Sequence, residues 1–272
     1  MIKIENVVLP SPDQWAAVIR GMRNPMNSWD RSDSKKGLAQ TGEYFELGYN
    51  DGDLMQRLAK GGSVHAKYRR MITVHLDITA PLYWWKEFDT YKVGTVANSC
   101  STMHKIHEKE FTLDDFSCEH LMDSDLVEPI EQKIPDGVTV WADDNTGCLA
   151  VTCCGNYHEG HSYEDTLIVS QKDILDMFII PALNANREAY FKTKSKPMKD
   201  SAAREALAKK YWWQMIQLLP SSYNQKRTVM LSYEVLVSIY RWRKDHKLDE
   251  WRELCKWIET LPYSEIITME DI

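Results

Sequence analysis

The clearest hydrophobic pattern in the chain lies over residues 71–104, where a strand pattern changes directly into a helix pattern. Apolar residues alternate with polar ones over residues 72–79, which is the period of a strand with one buried face. The period changes at Ala80-Pro81, because proline has no amide proton to donate and fits the first turn of a helix. Apolar residues then recur at helical spacing as far as Phe88. The pattern therefore predicts a strand that continues into a helix.

Small and hydroxyl-bearing residues fill the segment after this helix, residues 94–102. Such side chains let a ligand approach the backbone closely, so the segment is a candidate ligand-binding loop. The alternative is a solvated turn without a chemical role.

Helical periodicity and capping signals predict further helices along the chain. They cover a stretch from Asp51 or Asp53 to Ala59 and residues 12–22, 113–121, 171–191, 201–218, 229–243 and 249–261. Pro181 predicts a kink or a break inside its helix. Residues 27–41 are polar and rich in turn-forming residues, which predicts an exposed loop. Two extended runs, residues 138–141 and 148–152, flank a turn and predict a hairpin.

Charge and composition narrow the classes of function. The 272 residues carry a net charge of -7, and the isoelectric point lies near 5.7. This balance argues against binding to polymeric nucleic acid, which depends on clustered lysine and arginine, but it is compatible with a single free nucleotide. The sequence has no apolar span long enough for a bilayer and no secretory signal at its N-terminus, so we expect a cytoplasmic protein without a membrane partner.

Six cysteines, ten tryptophans and thirteen tyrosines add two expectations. The cysteines form no C-x-x-C motif, which favours free thiols over disulfides. The aromatic residues indicate aromatic-rich packing or subunit contacts.

A group of thiol and imidazole side chains near the predicted hairpin raises the question of a metal site. Its members are Cys148, Cys153, Cys154, His158 and His161. Four such ligands can hold zinc in a tetrahedral site. Their spacing matches no familiar zinc-binding motif, so we expect buried thiols beside a polar turn and no metal.

A positively charged cluster at residues 65–70 precedes the strand. His65, Lys67, Arg69 and Arg70 surround an aromatic residue, Tyr68. Guanidinium groups bind oxyanions in bidentate geometry, so this cluster suits a phosphate or a flavin pyrophosphate. The alternative is a solvated run of charge, and a lone histidine such as His65 is more often structural.

A known signature, R-H-R-x-x-S-x-N-E-x-S-x-R-Y, can be laid on residues 90–103 without a gap after Ala80-Pro81. Thr90, Tyr91 and Lys92 stand for its Arg-His-Arg, Thr95 for its first serine, Ala97-Asn98 for Asn-Glu, Cys100 for its second serine, and Thr102-Met103 for its final Arg-Tyr. Upstream, His65 coincides with a histidine of the same family, and Leu219-Pro220 and Arg243 coincide with its Leu-Pro and a later arginine. In these features the chain resembles the flavin-dependent thymidylate synthases.

This resemblance implies an α+β fold, with a central and mostly antiparallel sheet flanked by long helices. We expect one domain over residues 1–272 with an inserted hairpin region at about residues 124–170. Enzymes of the family transfer a one-carbon unit to dUMP with reduced FAD, and they are homotetramers whose sites are shared between subunits. The resemblance thus implies FAD as cofactor, NADPH and methylenetetrahydrofolate as co-substrates, and dUMP or a related nucleotide as substrate.

Family positions and the charged cluster together supply the expected site residues. Arg243 is the expected catalytic residue, since a fixed arginine can stabilise charge that develops on a pyrimidine oxygen. The expected substrate-binding residues are Glu87, Asn98, Ser99, Cys100 and Arg243. The expected cofactor-binding residues are His65, Arg69, Arg70, Lys92 and Thr95.

Three functions fit these observations. The first is methylation, or a related change such as hydroxymethylation, of a uridine-type deoxynucleotide. The second is a catalytically inactive module that keeps the fold and binds a nucleotide or a flavin. The third is a globular protein whose only special feature is a metal-stabilised hairpin.

Overall fold

The computed structural model describes residues 2–121, 132–133, 138–142, 149–153, 166–167, 171–197 and 200–269. The chain divides into two compact units. The first unit combines Met1–Cys100 with Asn224–Ile272, and the second is Ser101–Tyr223. The expectation of one domain with an inserted region at about residues 124–170 stays a prediction, since much of that region lies outside the described residues.

The described residues contain ten strands and ten α-helices. The strands are β1 (Lys3–Val8), β2 (Lys35–Ala39), β3 (Gly42–Glu46), β4 (Thr73–Pro81), β5 (Thr95–Ser99), β6 (Gln132–Lys133), β7 (Val138–Ala142), β8 (Leu149–Cys153), β9 (Thr166–Leu167) and β10 (Asn224–Ser232). The helices are α1 (Pro12–Arg23), α2 (Tyr49–Lys60), α3 (Leu82–Phe88), α4 (Thr102–Lys105), α5 (Gln171–Asp173), α6 (Ile180–Ser195), α7 (Ser201–Leu218), α8 (Tyr233–Arg243), α9 (Asp249–Glu259) and α10 (Glu265–Thr268).

A four-stranded sheet in the order β1-β4-β10-β5 organises the first unit. Every neighbouring pair in it is antiparallel. The predicted antiparallel sheet is therefore confirmed, and so is the strand at residues 72–79 that runs into a helix at Ala80-Pro81.

The predicted alternation along β4 places its apolar residues in the core. Val74, Leu76 and Ile78 are at most 1% exposed, because successive side chains of a strand point to opposite faces. Aromatic residues of α3 and α9, among them Trp84 and Trp251, pack into the same core. Their large apolar surfaces supply much of the burial that stabilises this unit.

Helix α1 begins where the capping signals predict. Ser11 and Gln14 form a reciprocal capping box, and Pro12 occupies the first turn. Both features satisfy or remove backbone donors that a helix N-terminus leaves without partners.

Three predictions are wrong in part because they missed a strand. Residues 224–232 form β10, so the helix predicted for residues 229–243 begins only at Tyr233. Residues 94–102 contain β5 and the start of α4, and residues 27–41 contain β2, which pairs with β3. Strands β5 and β10 pair across more than 100 residues of sequence, whereas β2 pairs with β3 directly after it. In each case pairing between strands decides the conformation, and the periodicity of the segment itself does not contain that information.

Helices α6 and α7 pack together in the second unit, and their buried residues share one apolar cluster with the loop after α4. A π-helical stretch, Ile174–Ile179, lies between α5 and α6, and Pro181 follows it. The helix is therefore irregular near the predicted kink. The predicted helix at residues 113–121 is reduced to a 3₁₀ turn, Leu113–Asp115, with a capping box at Thr112.

The predicted hairpin strands pair as expected, since β7 and β8 are antiparallel. Cys148, Cys154, His158 and His161 lie outside the described residues, and the expectation of no metal there stays a prediction. In the described part of the chain, no group of three or more potential metal ligands occurs, and no helix has the length and apolar character to span a bilayer. Cys100, Cys118 and Cys255 are free thiols.

Candidate active site

Helix α3 presents two faces that each contact a different arginine. Trp85 and Asp89 are four residues apart and therefore lie on one face, while Glu87 points to the opposite side. Glu87 contacts Arg243 at the end of α8, and Trp85 and Asp89 contact Arg227 on β10. The corner at Ala80-Pro81 fixes where this short helix starts, and so it fixes both arginine sites.

Arg243 is held by an ion pair, a hydrogen bond and two aromatic rings. Its Nη1 donates to Glu87 Oε2 at 2.8 Å, and its Nε donates to Tyr91 Oη at 2.9 Å. The guanidinium carbon lies 4.7 Å from the centre of the Trp251 ring and 5.7 Å from that of Tyr91. Planar guanidinium groups are well suited to this combination of stacking and forked hydrogen bonding.

Glu87 is shared by several donors around Arg243. Its Oε2 also accepts a hydrogen bond from Trp251 Nε1 at 3.0 Å, and His246 Nε2 lies 3.7 Å away. Two of the predicted substrate residues, Glu87 and Arg243, are thus brought together. A ligand that binds to Arg243 through the same guanidinium edge has to displace Glu87 or share the arginine with it.

Arg227 forms a second cationic centre, which the sequence did not single out. Its Nη1 donates to Asp89 at 2.7 Å, its Nε donates to Gln225 at 2.9 Å, and its guanidinium lies 4.2 Å from the Trp85 ring centre. Residues 225–228 are all polar and residues 229–231 are all apolar, so the segment lacks the alternation of a half-buried strand. The sequence therefore contains no signal for Arg227, and the helix predicted for residues 229–243 includes the second half of the segment.

The predicted substrate residues on β5 lie beside Arg227 in the sheet. Ser99 is opposite Arg227 in the antiparallel register, and Asn98 is opposite Thr228. The Cys100 carbonyl accepts a hydrogen bond from Gln225 Nε2 at 3.0 Å. Asn98, Ser99 and Cys100 are exposed, so their side chains are accessible to a ligand.

Two of the predicted cofactor residues have buried polar atoms near the start of α8. Arg69 is 3% exposed and lines a cavity of about 180 Å³ together with Ser63, Glu234, Ser238 and Arg241. Arg69 Nε and Glu234 Oε2 are buried and have no hydrogen-bond partner among the described residues. Unsatisfied buried groups of this kind cost free energy unless water or a ligand completes them.

Thr95 is the second of these residues. Its Oγ1 is also buried without a partner in the described part of the chain. Thr95 pairs with Leu231 in the sheet, two residues before α8 begins. Arg69 and Thr95 thus lie near one end of α8 and Arg243 at the other, separated by about 15 Å of helix.

The remaining predicted cofactor residues are accessible at the surface. His65, Arg70 and Lys92 are all exposed. The structure thus places every predicted residue in the first unit. Apart from these exposed residues, they lie at three positions: the Arg243 cluster, the end of the edge strand β5 beside Arg227, and the start of α8.

Comparison with solved structures identifies the fold that carries these residues. A crystal structure of thymidylate synthase X (ThyX) from Helicobacter pylori, with FAD and dUMP, superposes with a TM-score of 0.52 and 14% sequence identity. The match covers 99% of this chain and 98% of that one. The chain has the fold of a flavin-dependent thymidylate synthase.

A further neighbour of the flavin-dependent thymidylate synthase fold is the UMP/dUMP methylase PolB from Streptomyces cacaoi, bound with 5-Br dUMP. It superposes with a TM-score of 0.50 and 14% identity over 98% of this chain and 95% of that one. No protein-family profile matches the chain, and no curated protein matches it by sequence. The similarity lies in the fold, as the strand-to-helix arrangement around Ala80-Pro81 suggested, and only slightly in the amino-acid sequence.

Proposed function

We propose that the protein is a flavin-dependent enzyme that transfers a one-carbon unit to a uridine-type deoxynucleotide, by methylation or a related change such as hydroxymethylation. The observation that supports this most is the position of Arg243 within a ThyX-like fold, where Glu87, Tyr91 and Trp251 hold its guanidinium in one orientation. A fixed cation of this kind stabilises negative charge on a ligand without having to reorganise.

Arg243 is proposed to act on a carbonyl oxygen of the pyrimidine ring. An uncharged pyrimidine carbon becomes nucleophilic when electron density is drawn through the ring, and a cation beside the ring oxygen stabilises the charge that develops there. Glu87 and Tyr91 position the guanidinium. Asn98, Ser99 and Cys100 are proposed to contact the nucleotide from the exposed end of β5.

The described residues fit FAD at the start of α8. Arg69 Nε and the Thr95 hydroxyl are buried and have no hydrogen-bond partner among the described residues, and they offer donors for the acceptor atoms of a flavin or its phosphates. His65, Arg70 and Lys92 add donors at the surface. FAD bound there would supply the reducing electrons, and the protein's part is to bind and orient it.

The proposed reaction needs a carbon donor and a reductant for the flavin. Methylenetetrahydrofolate would provide the carbon unit, and NADPH would reduce the flavin. We propose a homotetramer in the cytoplasm, in which residues of neighbouring chains complete each site. Assembly of this kind would allow the three groups of site residues in one chain to serve different shared sites.

The decisive experiment combines a flavin spectrum with a hydrogen-release assay. Purified protein is titrated with FAD, and tritium release from [5-³H]dUMP is measured with NADPH and methylenetetrahydrofolate. We expect a flavin absorption band and tritium release. Arg243→Ala should lower release by about 100-fold or more, because it removes a charged donor from the reacting ring.

Arg57→Ala provides the matched control. Arg57 is an exposed arginine in an i,i+4 pair with Asp53 on α2, so its loss should leave release within about twofold of the parent protein. Equal dUMP affinity and equal release by the Arg243 and Arg57 variants would contradict the proposed role of Arg243. Absence of a flavin band would contradict the proposal as a whole.

A second function is favoured by two specific observations. Arg243 already donates to Glu87 and Tyr91 within the chain, and Thr102-Met103 replaces the Arg-Tyr of the family signature. These features suit a catalytically inactive module that binds a nucleotide or flavin. For such a module, FAD and dUMP bind but no tritium is released.

A further inference from the structure

A cavity in the second unit is lined by none of the site residues discussed above. Its volume is about 430 Å³, and residues of α4, α6 and α7, together with His107, line it. Pockets that bind small molecules range from about 300 to 1,000 Å³. The cavity is thus large enough for a ligand with one or two rings.

Aromatic side chains form much of the cavity wall. Tyr190, Trp212 and His107 line it, and the rings of His107 and Tyr190 are 4.5 Å apart. Trp212 is held in place because its Nε1 donates to the Met103 carbonyl at 2.8 Å. Fixed aromatic surfaces favour a planar ligand, since stacking then costs little side-chain entropy.

Positive charge exceeds negative charge among the lining residues. Lys194 and Lys209 line the cavity, and Glu205 is the acidic residue among them. Glu205 forms an ion pair with Lys194, which leaves the charge of Lys209 uncompensated within the lining. An anionic group on the ligand would complement this charge.

His107, which lines the cavity, carries a ring nitrogen without a hydrogen-bond partner among the described residues. Its Nδ1 is buried and makes no hydrogen bond to any described residue. Burial lowers the pKa of His107, so the imidazole is neutral near pH 7 and can donate or accept one hydrogen bond at that atom. A ligand with a heteroatom on or next to its ring would satisfy it.

We propose that this cavity is a second binding site, for a planar aromatic ring that carries a phosphate or a carboxylate. The ring packs against Tyr190 and Trp212, and the anionic group pairs with Lys209. The site consists only of residues in the second unit, and it does not depend on Arg243 or on the flavin proposed for the first unit.

Isothermal titration calorimetry on the full chain tests this site. The probes are adenosine 5′-monophosphate and anthranilate, which combine a ring with an anion, and adenosine and inorganic phosphate, which have one feature each. We expect at least one ring-bearing anion to bind at least tenfold more tightly than adenosine or phosphate. Tighter binding of the nucleotide assigns the site to phosphates, and tighter binding of anthranilate assigns it to carboxylates.

Adjacent residues on α7 provide matched controls. Lys209 lines the cavity and Lys210 does not, and the same holds for Trp212 and Trp213. Lys209→Gln should weaken binding of the preferred anion at least fivefold, and Trp212→Leu at least tenfold. Lys210→Gln, Trp213→Leu and Arg243→Ala should leave its affinity within twofold.

Three results would overturn the proposal. The first is that neither ring-bearing anion binds at millimolar concentration. The second is that Lys210→Gln weakens binding as much as Lys209→Gln, which would show an effect of overall charge. The third is that Arg243→Ala abolishes binding, which would place the probe in the nucleotide site of the first unit.

Discussion

Asp51 shows how a single residue can organise a loop that the sequence marks only as polar. Its side chain is fully buried and accepts hydrogen bonds from Arg23, from the Ser32 hydroxyl at 2.8 Å and from the Ser34 amide at 3.0 Å. Arg23 is only 4% exposed. The pair therefore ties α1 and the segment before β2 to the first turn of α2.

Asp51→Asn should destabilise the protein by about 3 kcal/mol, because it leaves the charge of Arg23 buried without its counterion. Urea unfolding followed by circular dichroism measures the difference. Asp53→Asn is the control, since Asp53 forms an exposed ion pair with Arg57, and its effect should stay within about 0.5 kcal/mol. Equal losses in the two variants would refute the structural role of Asp51.

The same carboxylate predicts a pH dependence of stability. Burial alone would raise the pKa of Asp51, but hydrogen bonds from Ser34, Ser32 and Arg23 outweigh it and hold the pKa below its usual value. A carboxylate with a depressed pKa stabilises the fold above its unfolded pKa of about 3.9, and this stabilisation is lost as the pH falls through the folded pKa. The stability difference between the parent protein and Asp51→Asn should therefore be constant near neutral pH and shrink below about pH 4.

At the scale of elements, Gly94 governs how β5 enters the sheet beside α8. Its φ is +78°, and a Cβ atom there would lie 2.8 Å from Ser232 Oγ and 3.1 Å from Val235 Cγ2. The Gly94 carbonyl accepts a hydrogen bond from the Ser232 amide at 3.2 Å. The turn before Thr95 thus needs a residue without a side chain, both for its dihedral angle and for the space.

Gly94→Ala should destabilise the protein by roughly 2–3 kcal/mol, through left-handed strain and a steric clash. Gly62→Ala is a matched comparison, because Gly62 has a φ of +83° but open space around the added Cβ. It should cost only the strain, about 1 kcal/mol. Thermal unfolding of both variants measures the two values. Equal shifts in melting temperature would show that the contact with Ser232 does not lower the stability.

At the scale of the whole molecule, the described residues form two apolar clusters, one in each unit. The first contains Trp84 and Trp251 between the sheet and its helices, and the second contains Leu183 and Met215 between α6 and α7. Regions with separate cores often open as separate cooperative units. The stability of the second unit should therefore respond to its own core.

Leu183→Ala should destabilise the second unit by about 3 kcal/mol, since Leu183 is fully buried and its loss leaves a cavity. Hydrogen exchange with mass spectrometry should show faster exchange in α6 and α7 and unchanged exchange in β4 and β10. Leu207→Ala on α7 is the control, because Leu207 is 39% exposed, and its effect should stay below about 1 kcal/mol. Faster exchange in β4 and β10 as well would show that the two units open together.

Local pattern was sufficient for elements whose signals lie within a few residues of one another. The capping box at Ser11, the alternation through β4 and the helix that follows Pro81 all have this character. The corner at Ala80-Pro81 also carried the resemblance that led to the fold. These features depend on neighbours in sequence, so the sequence alone determined them.

Only the tertiary structure decided the partners of the arginines. Arg243 and Glu87 are 156 residues apart in sequence, and Arg227 and Asp89 are 138 residues apart. Strand β10 exists because β4 and β5 flank it, although the sequence of its second half also fits a helix. Pairings across such distances depend on the packing of the whole sheet, and no local period encodes them.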